Sequence, residues 1–434
     1  MKSMKLRLVG TAITACLMGI VATSPAVAGP GKVFVGTNHT NMSVIDPNDP
    51  EPSNEIAMFD RAENGELELM GYFSTGGQGS GPAVRFAGDG LGSGHSVWLS
   101  QNRRFLFATN AGSDTLSVFR IRRDGLTLVE VEPTGDGSVN QRFPNSVTQH
   151  GRLVYVLNGA GNGSITGFWM SSRGTLRPIP GSTRTLQANQ LRFPPDPLLN
   201  PAQVQFTPDG RHLVVTLKDG PAEGAIPGVS PSGPGRILVF SMDRTGRPSE
   251  TFTQTNTDNA GPFGFNFDSN GNLLTALFIG GPNLTSSAGS FSFNNDGTLN
   301  PITANVPAPT EIDLCWLENN GRFAYGSNYT TGTITSYSIG ANGALTLLDP
   351  VAGTTQPTNV SQGTTPLDLA ITDDGRYLYN VLPGSGRVAA WAINNSDGSL
   401  TSIGEFEGLG QTVDGDNAPG DFLTGESPAG IAAF

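Results

Sequence analysis

Cysteine, histidine and charged residues are scarce in this sequence, which narrows the chemistry that it can carry. The 434 residues include 2 cysteines and 4 histidines, and only 14% are Asp, Glu, Lys or Arg. The histidines show no His-x-x-x-His spacing and no pairing with cysteine, which disfavours a zinc site. No tract is rich in lysine or arginine and the formal net charge is −12, which argues against nucleic acid as a partner. We expect no bound metal and no cofactor.

Composition also excludes several fold classes. The low charge content excludes a coiled coil, and the 23 phenylalanines exclude a charged disordered chain. The 58 glycines and 31 prolines make up about a fifth of the chain without a three-residue period, which excludes collagen. These residues instead separate short apolar runs, a pattern that indicates many short strands.

The N-terminus has the pattern of an export signal. Lys2, Lys5 and Arg7 precede a mostly apolar stretch over residues 8–21, and Ala26-Val27-Ala28 is an A-x-A cleavage site. A membrane anchor is the alternative, but the apolar run is short for a span. We predict a secretory signal peptide over residues 1–28, a single domain over residues 29–434, no membrane span, and a periplasmic or secreted protein.

The two cysteines have different expected fates. Cleavage after Ala28 removes Cys16 and leaves 406 residues with a net charge of −15. The sequence that ends at Cys16 weakly resembles a lipobox, so a lipid anchor is a second alternative, although apolar residues continue after it. Cys315 lies in the apolar stretch 314–317, which favours a small buried core residue over a nucleophile.

A short apolar phrase recurs along the chain, as in Phe105–Asn110 and Phe323–Asn328. Copies begin at seven positions, with a mean spacing of about 57 residues: 33, 105, 153, 212, 273, 323 and 377. Tight turns such as Thr207–Arg211 and Glu318–Arg322 precede most copies, and an alternating strand with an Asn-Gly or Asp-Gly turn follows. The expected fold is therefore an all-β, seven-bladed β-propeller with four antiparallel strands per blade.

The chain ends predict how the ring closes. The N-terminal copy lacks an inner strand, and residues 427–434 match the inner-strand phrase at 365–371. We expect the C-terminal strand to complete the first blade. Long connections then crowd one face of the propeller, over residues 40–53, 74–94, 181–200, 219–235 and 407–426.

Long loops in a compact domain are usually functional. We predict that the long-loop face of a monomer binds a small polar molecule or a protein. The alternative is that the loops only cover the channel mouth. The acidic loop 414–421 slightly resembles a calcium loop but lacks its spacing, which favours a solvated acidic loop.

Polar residues of the inner strands converge on the central channel, where they could hold a polar ligand or, as an alternative, a hard cation. The candidate catalytic residues are His95, Asp313 and Asp368. The candidate ligand-binding residues are Arg142, Gln203, Lys218, Asn266 and Glu311. The alternative is a water-filled channel whose polar groups are satisfied.

The phrase Pro201–Arg211, with its second strand and Asp-Gly hairpin, resembles the lactonase-type seven-bladed propellers. That family includes propeller 6-phosphogluconolactonases and fungal carboxymuconate cyclases, and the resemblance covers residues 31–434. It implies the propeller fold and a lactonase or cyclase activity. Active members carry Arg-His on an inner strand and a Glu after the next strand. Ala202, Gln203 and Lys218 stand at those positions here, and Asn145 replaces an upstream histidine.

Three interpretations follow from this degenerate motif. The first is a non-catalytic or divergent propeller that binds a ligand or a protein. The second is an active lactonase or lactone-forming cyclase that uses His95 with Asp313, Glu311 or Asp368. The third is a scaffold in an envelope assembly.

Overall fold

The structure is a computed structural model, and it describes residues 30–40, 54–81, 88–188, 190, 193–218, 234–257, 261–279, 285–356, 363–410, 412–413, 424–425 and 427–434. The predicted signal peptide, the calcium-like loop 414–421 and large parts of the long loops lie outside these residues. Within the described part of the chain, no helix has the length and hydropathy of a membrane span.

Seven four-stranded antiparallel sheets form the blades, which we number along the chain and describe from the channel outward. Blade 1 contains β31 (Ala429–Ala433), β1 (Gly31–Gly36), β2 (Glu55–Arg61) and β3 (Leu67–Ser74). Blade 2 contains β4 (Val97–Leu99), β5 (Phe105–Asn110), β6 (Thr115–Arg122) and β7 (Gly125–Pro133). Blade 3 contains β8 (Pro144–His150), β9 (Leu153–Asn158), β10 (Ser164–Met170) and β11 (Leu176–Pro178), with β12 (Arg184–Thr185) also paired to β10.

Blades 4 to 7 follow the same order. Blade 4 contains β13 (Pro201–Phe206), β14 (His212–Leu217), β15 (Arg236–Ser241) and β16 (Thr253–Asn256). Blade 5 contains β17 (Pro262–Phe267), β18 (Leu273–Leu277), β19 (Ser287–Phe293) and β20 (Leu299–Pro307). Blade 6 contains β21 (Leu314–Asn319), β22 (Phe323–Asn328), β23 (Thr333–Ile339) and β24 (Leu345–Thr354). Blade 7 contains β25 (Leu369–Ile371), β26 (Tyr377–Leu382), β27 (Arg387–Ile393) and β28 (Leu400–Glu407), and β29 (Thr412–Val413) pairs with β30 (Thr424–Gly425).

The inner strand of each blade contacts that of the next blade, from β4 round to β31, so the blades form a closed ring. The prediction of a seven-bladed propeller is confirmed. The seven predicted copies are the second strands, and only the first begins earlier than predicted, at Gly31.

The C-terminal strand closes the ring, as predicted. β31 pairs antiparallel with β1, and Val35 lies opposite Ile431. The backbone N–H of Phe434 donates to the Lys32 carbonyl over 3.0 Å, and the Lys32 N–H donates back over 3.1 Å. Because β31 supplies the inner strand of blade 1, the two ends of the chain stabilise one blade together.

Buried tyrosines join neighbouring blades at the hairpin face. The hydroxyl of Tyr155 in blade 3 donates to the Gly246 carbonyl in blade 4 over 2.7 Å. Tyr325 in blade 6 donates to a carbonyl of blade 7 over 3.0 Å, and Tyr379 in blade 7 donates to one of blade 1 over 2.9 Å. Each ring buries apolar area while its hydroxyl finds a partner, so the blades pack without an unsatisfied donor at these points.

Cys315 lies in β21 and is buried, with no disulfide partner among the described residues. Burial raises the pKa of its thiol well above the usual range. The thiolate is therefore disfavoured, and the interpretation of Cys315 as a core residue is confirmed.

Candidate functional site

A segment between blades 1 and 2 enters the channel at the long-loop end. We name residues 88–95 the plug segment, and every one of its residues is buried. Three blades bind its carbonyls through side chains: Ser427 of blade 1 donates to Gly88, Asn200 of blade 4 to Leu91, and Trp316 of blade 6 to Ser93. Because these blades lie on different sides of the ring, the plug segment crosses the channel.

A buried pair of opposite charges holds the plug segment. Lys218 is fully buried, and its ammonium donates to the Gly92 carbonyl and, over 2.6 Å, to Asn200 Oδ1. The Asp89 carboxylate accepts the Leu91 N–H over 3.0 Å. Burial lowers the pKa of Lys218 to about 7, against the opposing effect of Asp89, and burial raises the pKa of Asp89.

The plug segment packs against Ala202 and Gln203, two positions where the resemblance to the lactonase-type propellers predicts catalytic residues. The Gly94 N–H donates to the Ala202 carbonyl over 3.1 Å, and a Cβ on Gly94 would lie 2.5 Å from Gln203 Oε1. Asn145 donates to the Pro201 carbonyl over 2.9 Å. In this chain the positions carry neither a histidine nor a carboxylate, and backbone is packed against them.

The plug segment ends at His95, whose side chain lies on the side of the segment that faces away from the long loops. His95 has a φ of +60°, and its N–H donates to Asp368 Oδ2 over 2.8 Å. Its Nε2 lies 3.0 Å from Glu318 Oε1, and its ring centroid lies 4.3 Å from that of Trp98. The imidazole is thus oriented by a carboxylate of blade 6 and an indole of blade 2.

The polar contacts continue along the inner strands of three blades. Asn266 donates its amide to Glu318 Oε2, and Gln205 donates to Asn266 Oδ1 over 3.3 Å. Gln203 donates to Gln205 Oε1 over 3.0 Å. We name His95, Glu318, Asn266, Gln205 and Gln203 the channel network.

A cavity of about 550 Å³ lies against the His95 end of this network. His95, Trp98, Asn266 and Glu318 line its wall, and the side chain of Glu318 is 12% exposed. Its rim is formed by hairpins that follow inner strands: Arg103 after β4, Asn320 after β21 and Asp373 after β25. The cavity therefore opens on the hairpin face, opposite the long loops.

An ion pair bridges the rim of this cavity. Arg103 Nε lies 2.9 Å from Asp373 Oδ2, and this contact joins the hairpins of blades 2 and 7. Both side chains are partly exposed, so the pair contributes little to stability.

Asp368 is buried between the plug segment and blade 7. Burial raises its pKa to about 7, although the neighbouring His95 lowers it. The carboxylate also accepts the Leu369 N–H over 3.0 Å. Asp368 therefore changes charge near neutral pH at the backbone of His95.

The structure brings some of the predicted site residues together and separates others. His95, Asp368, Asn266 and Gln203 lie within or beside the channel network. Asp313 is bound by the Thr330 hydroxyl, and burial raises its pKa. None of its contacts in the described part of the chain reaches His95.

The remaining predicted residues hold loops at the long-loop end. Arg142 Nε donates to Asp114 Oδ2 over 2.7 Å, and its guanidinium lies 4.1 Å from the Phe193 ring centroid. Glu311 accepts hydroxyl donation from Thr331 over 2.8 Å. Lys218 lies under the plug segment rather than on the cavity wall.

Sequence reasoning missed Glu318. The sequence pattern makes it the first residue of a tight turn, but β21 extends through Asn319. Glu318 pairs with Tyr325, as Gln205 pairs with Val214, so the two residues have equivalent register positions. Aligning the inner strands by this register would have placed a carboxylate in the polar layer of the channel.

Residues 49–180 match the family model described as lactonase, 7-bladed beta-propeller. Over these residues the sequence is similar to the lactonase-type propellers, and the whole described chain has the seven-bladed propeller fold. A Bacteroides fragilis structure provisionally named a 6-phosphogluconolactonase is 18% identical, with a TM-score of 0.62 and coverage of 94% of this chain and 99% of that one. The Pseudomonas aeruginosa periplasmic gluconolactonase PpgL is 16% identical, with a TM-score of 0.60 and coverage of 92% and 99%. No curated protein matches the chain in sequence.

These similarities extend to the propeller fold, and the predicted site residues of this chain are considered against it. The fold and the ring are shared, while the positions expected to carry catalysis are occupied by Ala202, Gln203 and Lys218 and covered by the plug segment. Among the described residues, no group of three or more His, Cys, Asp or Glu side chains could hold a metal ion. What remains is a histidine and carboxylate pair on a polar cavity, which can bind a small polar molecule or transfer a proton.

Proposed function

We propose that this lactonase-type propeller binds a small polar molecule in the hairpin-face cavity, with Glu318, Asn266 and His95 as the recognising groups. The contact of 3.0 Å between His95 Nε2 and Glu318 Oε1 on the wall of that cavity carries the proposal. A few convergent polar groups in a concave site are typical of small-molecule recognition. Trp98 adds an apolar surface on which the ring of a sugar can stack.

Calorimetric titration with a six-carbon aldonolactone and with its acid tests this binding. The Glu318→Gln variant is expected to lose about tenfold in affinity, which corresponds to about 1.4 kcal/mol. Glu407→Gln is the matched control, because Glu407 is 82% exposed on the outer strand of blade 7. Equal affinity of wild type and Glu318→Gln would contradict the proposal.

Lactone hydrolysis is the second candidate, and the His95–Glu318 pair favours it. Nδ1 of His95 has no partner among the described residues, but it is buried, so the imidazole would have to turn toward the cavity before Nδ1 accepts a proton. A water molecule would attack the lactone carbonyl while His95 takes its proton, and Glu318 would stabilise the imidazolium. The imidazolium then returns the proton to the ring oxygen as the C–O bond breaks.

The hydrolysis proposal is separable from binding. His95→Gln is expected to abolish enzymatic acid release in a pH-stat assay, while ligand binding is weakened but remains measurable through Glu318 and Asn266. Wild-type protein that binds the lactone without releasing acid would leave the chain as a binding protein. Undiminished hydrolysis by His95→Gln would contradict the role of His95.

We also propose that the chain is exported, as the charged, apolar and A-x-A order of residues 1–28 predicts. N-terminal sequencing of the protein from the periplasm or medium is expected to begin at Gly29. An intact N-terminus on protein retained in the cytoplasm would contradict export. Binding of a protein on the long-loop face stays a prediction.

A further inference from the structure

Lys218 is linked to His95 through three residues of backbone. Its ammonium binds the Gly92 carbonyl, and the Asp89 carboxylate accepts the Leu91 N–H within the same turn. The turn at residues 89–92 is thus held by Lys218 from outside and by its own aspartate from within. Gly92 has a φ of +59°, and a Cβ there would lie 2.4 Å from the Pro197 carbonyl oxygen, so the turn has little room to shift.

The other end of the plug segment determines the position of the His95 imidazole. The His95 carbonyl accepts the Val147 N–H over 3.0 Å, and its N–H donates to Asp368. The side chain therefore reaches Glu318 from a backbone that is held at both ends. Only Ser93 and Gly94 separate Gly92 from His95, and both are bound by the blades, so a shift at Gly92 acts on His95 through a short, anchored segment.

We propose that Lys218 is a positioning residue, which holds the plug segment so that His95 meets Glu318 on the cavity wall. The expected effect of Lys218 on ligand affinity rests on the proposed function. The link between Lys218 and His95 rests on the contacts alone. Lys218 stands at the position where the resemblance to the lactonase-type propellers predicts a glutamate. A displacement of about 1 Å at a site can cost on the order of a hundredfold in rate.

The charge environment makes this positioning dependent on pH. Asp89, Asp196 and Cys315 face the Lys218 ammonium, and the Phe263 ring lies 4.3 Å from it. Burial lowers the pKa of Lys218 to about 7, so the ammonium loses its proton as pH rises through neutrality. An uncharged amine still donates a hydrogen bond, but it forms a weaker one to Gly92.

NMR of the imidazole of His95 tests the proposal without any ligand. Lys218→Met is expected to move the ¹⁵N shifts of His95 toward those of the Glu318→Gln variant, and Lys218→Arg is expected to restore part of the difference. Unchanged His95 shifts in Lys218→Met would overturn the proposal. Because these signals need no substrate, this outcome is distinguishable from a failure of the proposed function.

A titration of protein with Lys218 intact covers the case in which Lys218→Met does not fold. The Asp368→Asn background is used, because Asp368 also titrates near pH 7. The ¹³Cε signal of Lys218 and the ¹⁵N signals of His95 are expected to change with the same midpoint. A step in Lys218 with no matching step in His95 would overturn the proposal. In binding assays, Lys218→Met is expected to weaken ligand affinity about tenfold, consistent with a misplaced His95.

Discussion

His95 Nε2 lies 3.0 Å from Glu318 Oε1, although the two residues are 223 positions apart in the chain. The contact joins the end of the plug segment to the inner strand of blade 6. It puts the imidazole on the wall of the hairpin-face cavity, while the same segment closes the other end of the channel. The orientation of the imidazole on the cavity wall therefore depends on this segment.

Asn266→Asp is expected to destabilise the protein at neutral pH. The substitution replaces the amide that donates to Glu318 Oε2 with a second carboxylate, and two adjacent carboxylates cannot both ionise without cost. We expect a loss of about 1–3 kcal/mol at pH 7.5, which decreases toward pH 5 as the pair takes up a proton. Urea unfolding at both pH values measures this difference.

Asn300→Asp is the control for that change, because Asn300 is exposed on the outer strand of blade 5. Its free energy of unfolding is expected to stay within about 0.5 kcal/mol of wild type. An Asn266→Asp variant that is as stable as this control at pH 7.5 would show that Glu318 does not depend on the amide.

Asp368→Asn is expected to remove one source of pH dependence in stability. The pKa of Asp368 is raised to about 7 in the folded state, so its stabilising contribution is full below pH 4 and is lost as pH rises through 7. The asparagine oxygen can still accept the His95 N–H. The variant should gain stability over wild type between pH 4 and pH 7.5, as measured by thermal melting across this range. A constant difference across that range would refute the assignment.

Gly430→Ala is expected to weaken ring closure. Gly430 has a φ of +77°, and a Cβ there would lie 2.0 Å from Ser96 Oγ, whose hydroxyl donates to the Ala429 carbonyl. We expect a loss of about 2–4 kcal/mol in the free energy of unfolding, from backbone strain and overpacking together.

Gly151→Ala is the control, since φ there is +57° but nothing lies within 4 Å of the new Cβ. Its loss should be about 1–2 kcal/mol, from the backbone term alone. Equal losses in the two variants would exclude the contact with Ser96.

Cys315 is expected to resist alkylation in the folded protein. Its thiol is buried and its pKa is raised, so both access and thiolate are lacking. Mass spectrometry after iodoacetamide treatment should show modification only when urea unfolds the domain. Cys315→Ala provides the unlabelled reference, and rapid labelling of native protein would indicate that the core beneath the plug segment opens.

The blade pattern was predictable because it is local. Each hairpin depends on residues that are close in the chain, such as Asp209 and Gly210 or Asp296 and Gly297, and the repeat makes each blade a copy of the last. The closing strand was predictable for the same reason, since residues 427–434 repeat a phrase present in other blades. Two residues near the site, His95 and Asp368, could also be predicted from the sequence, because they are polar residues at the start of inner strands.

The plug segment could not be predicted, because its sequence has no periodic pattern and its residues are mostly small. Nothing in the local sequence shows that the Gly92 carbonyl accepts from Lys218 and that the Ser93 carbonyl accepts from Trp316. Glu318 was missed because a strand extends two residues further than its turn suggests. Lys218 was predicted as a ligand-binding residue, and nothing local shows that the plug segment buries it.

The sequence by itself therefore determined the all-β class, the number of blades and the way the ring closes. It also predicted, from the resemblance to the lactonase-type propellers, that their catalytic motif is degenerate here. Only the tertiary structure decided which end of the channel is closed, where the cavity opens and which carboxylate meets His95. The physical reason is that hairpins depend on neighbouring residues, whereas the site depends on contacts between blades, which exist only after the ring has closed.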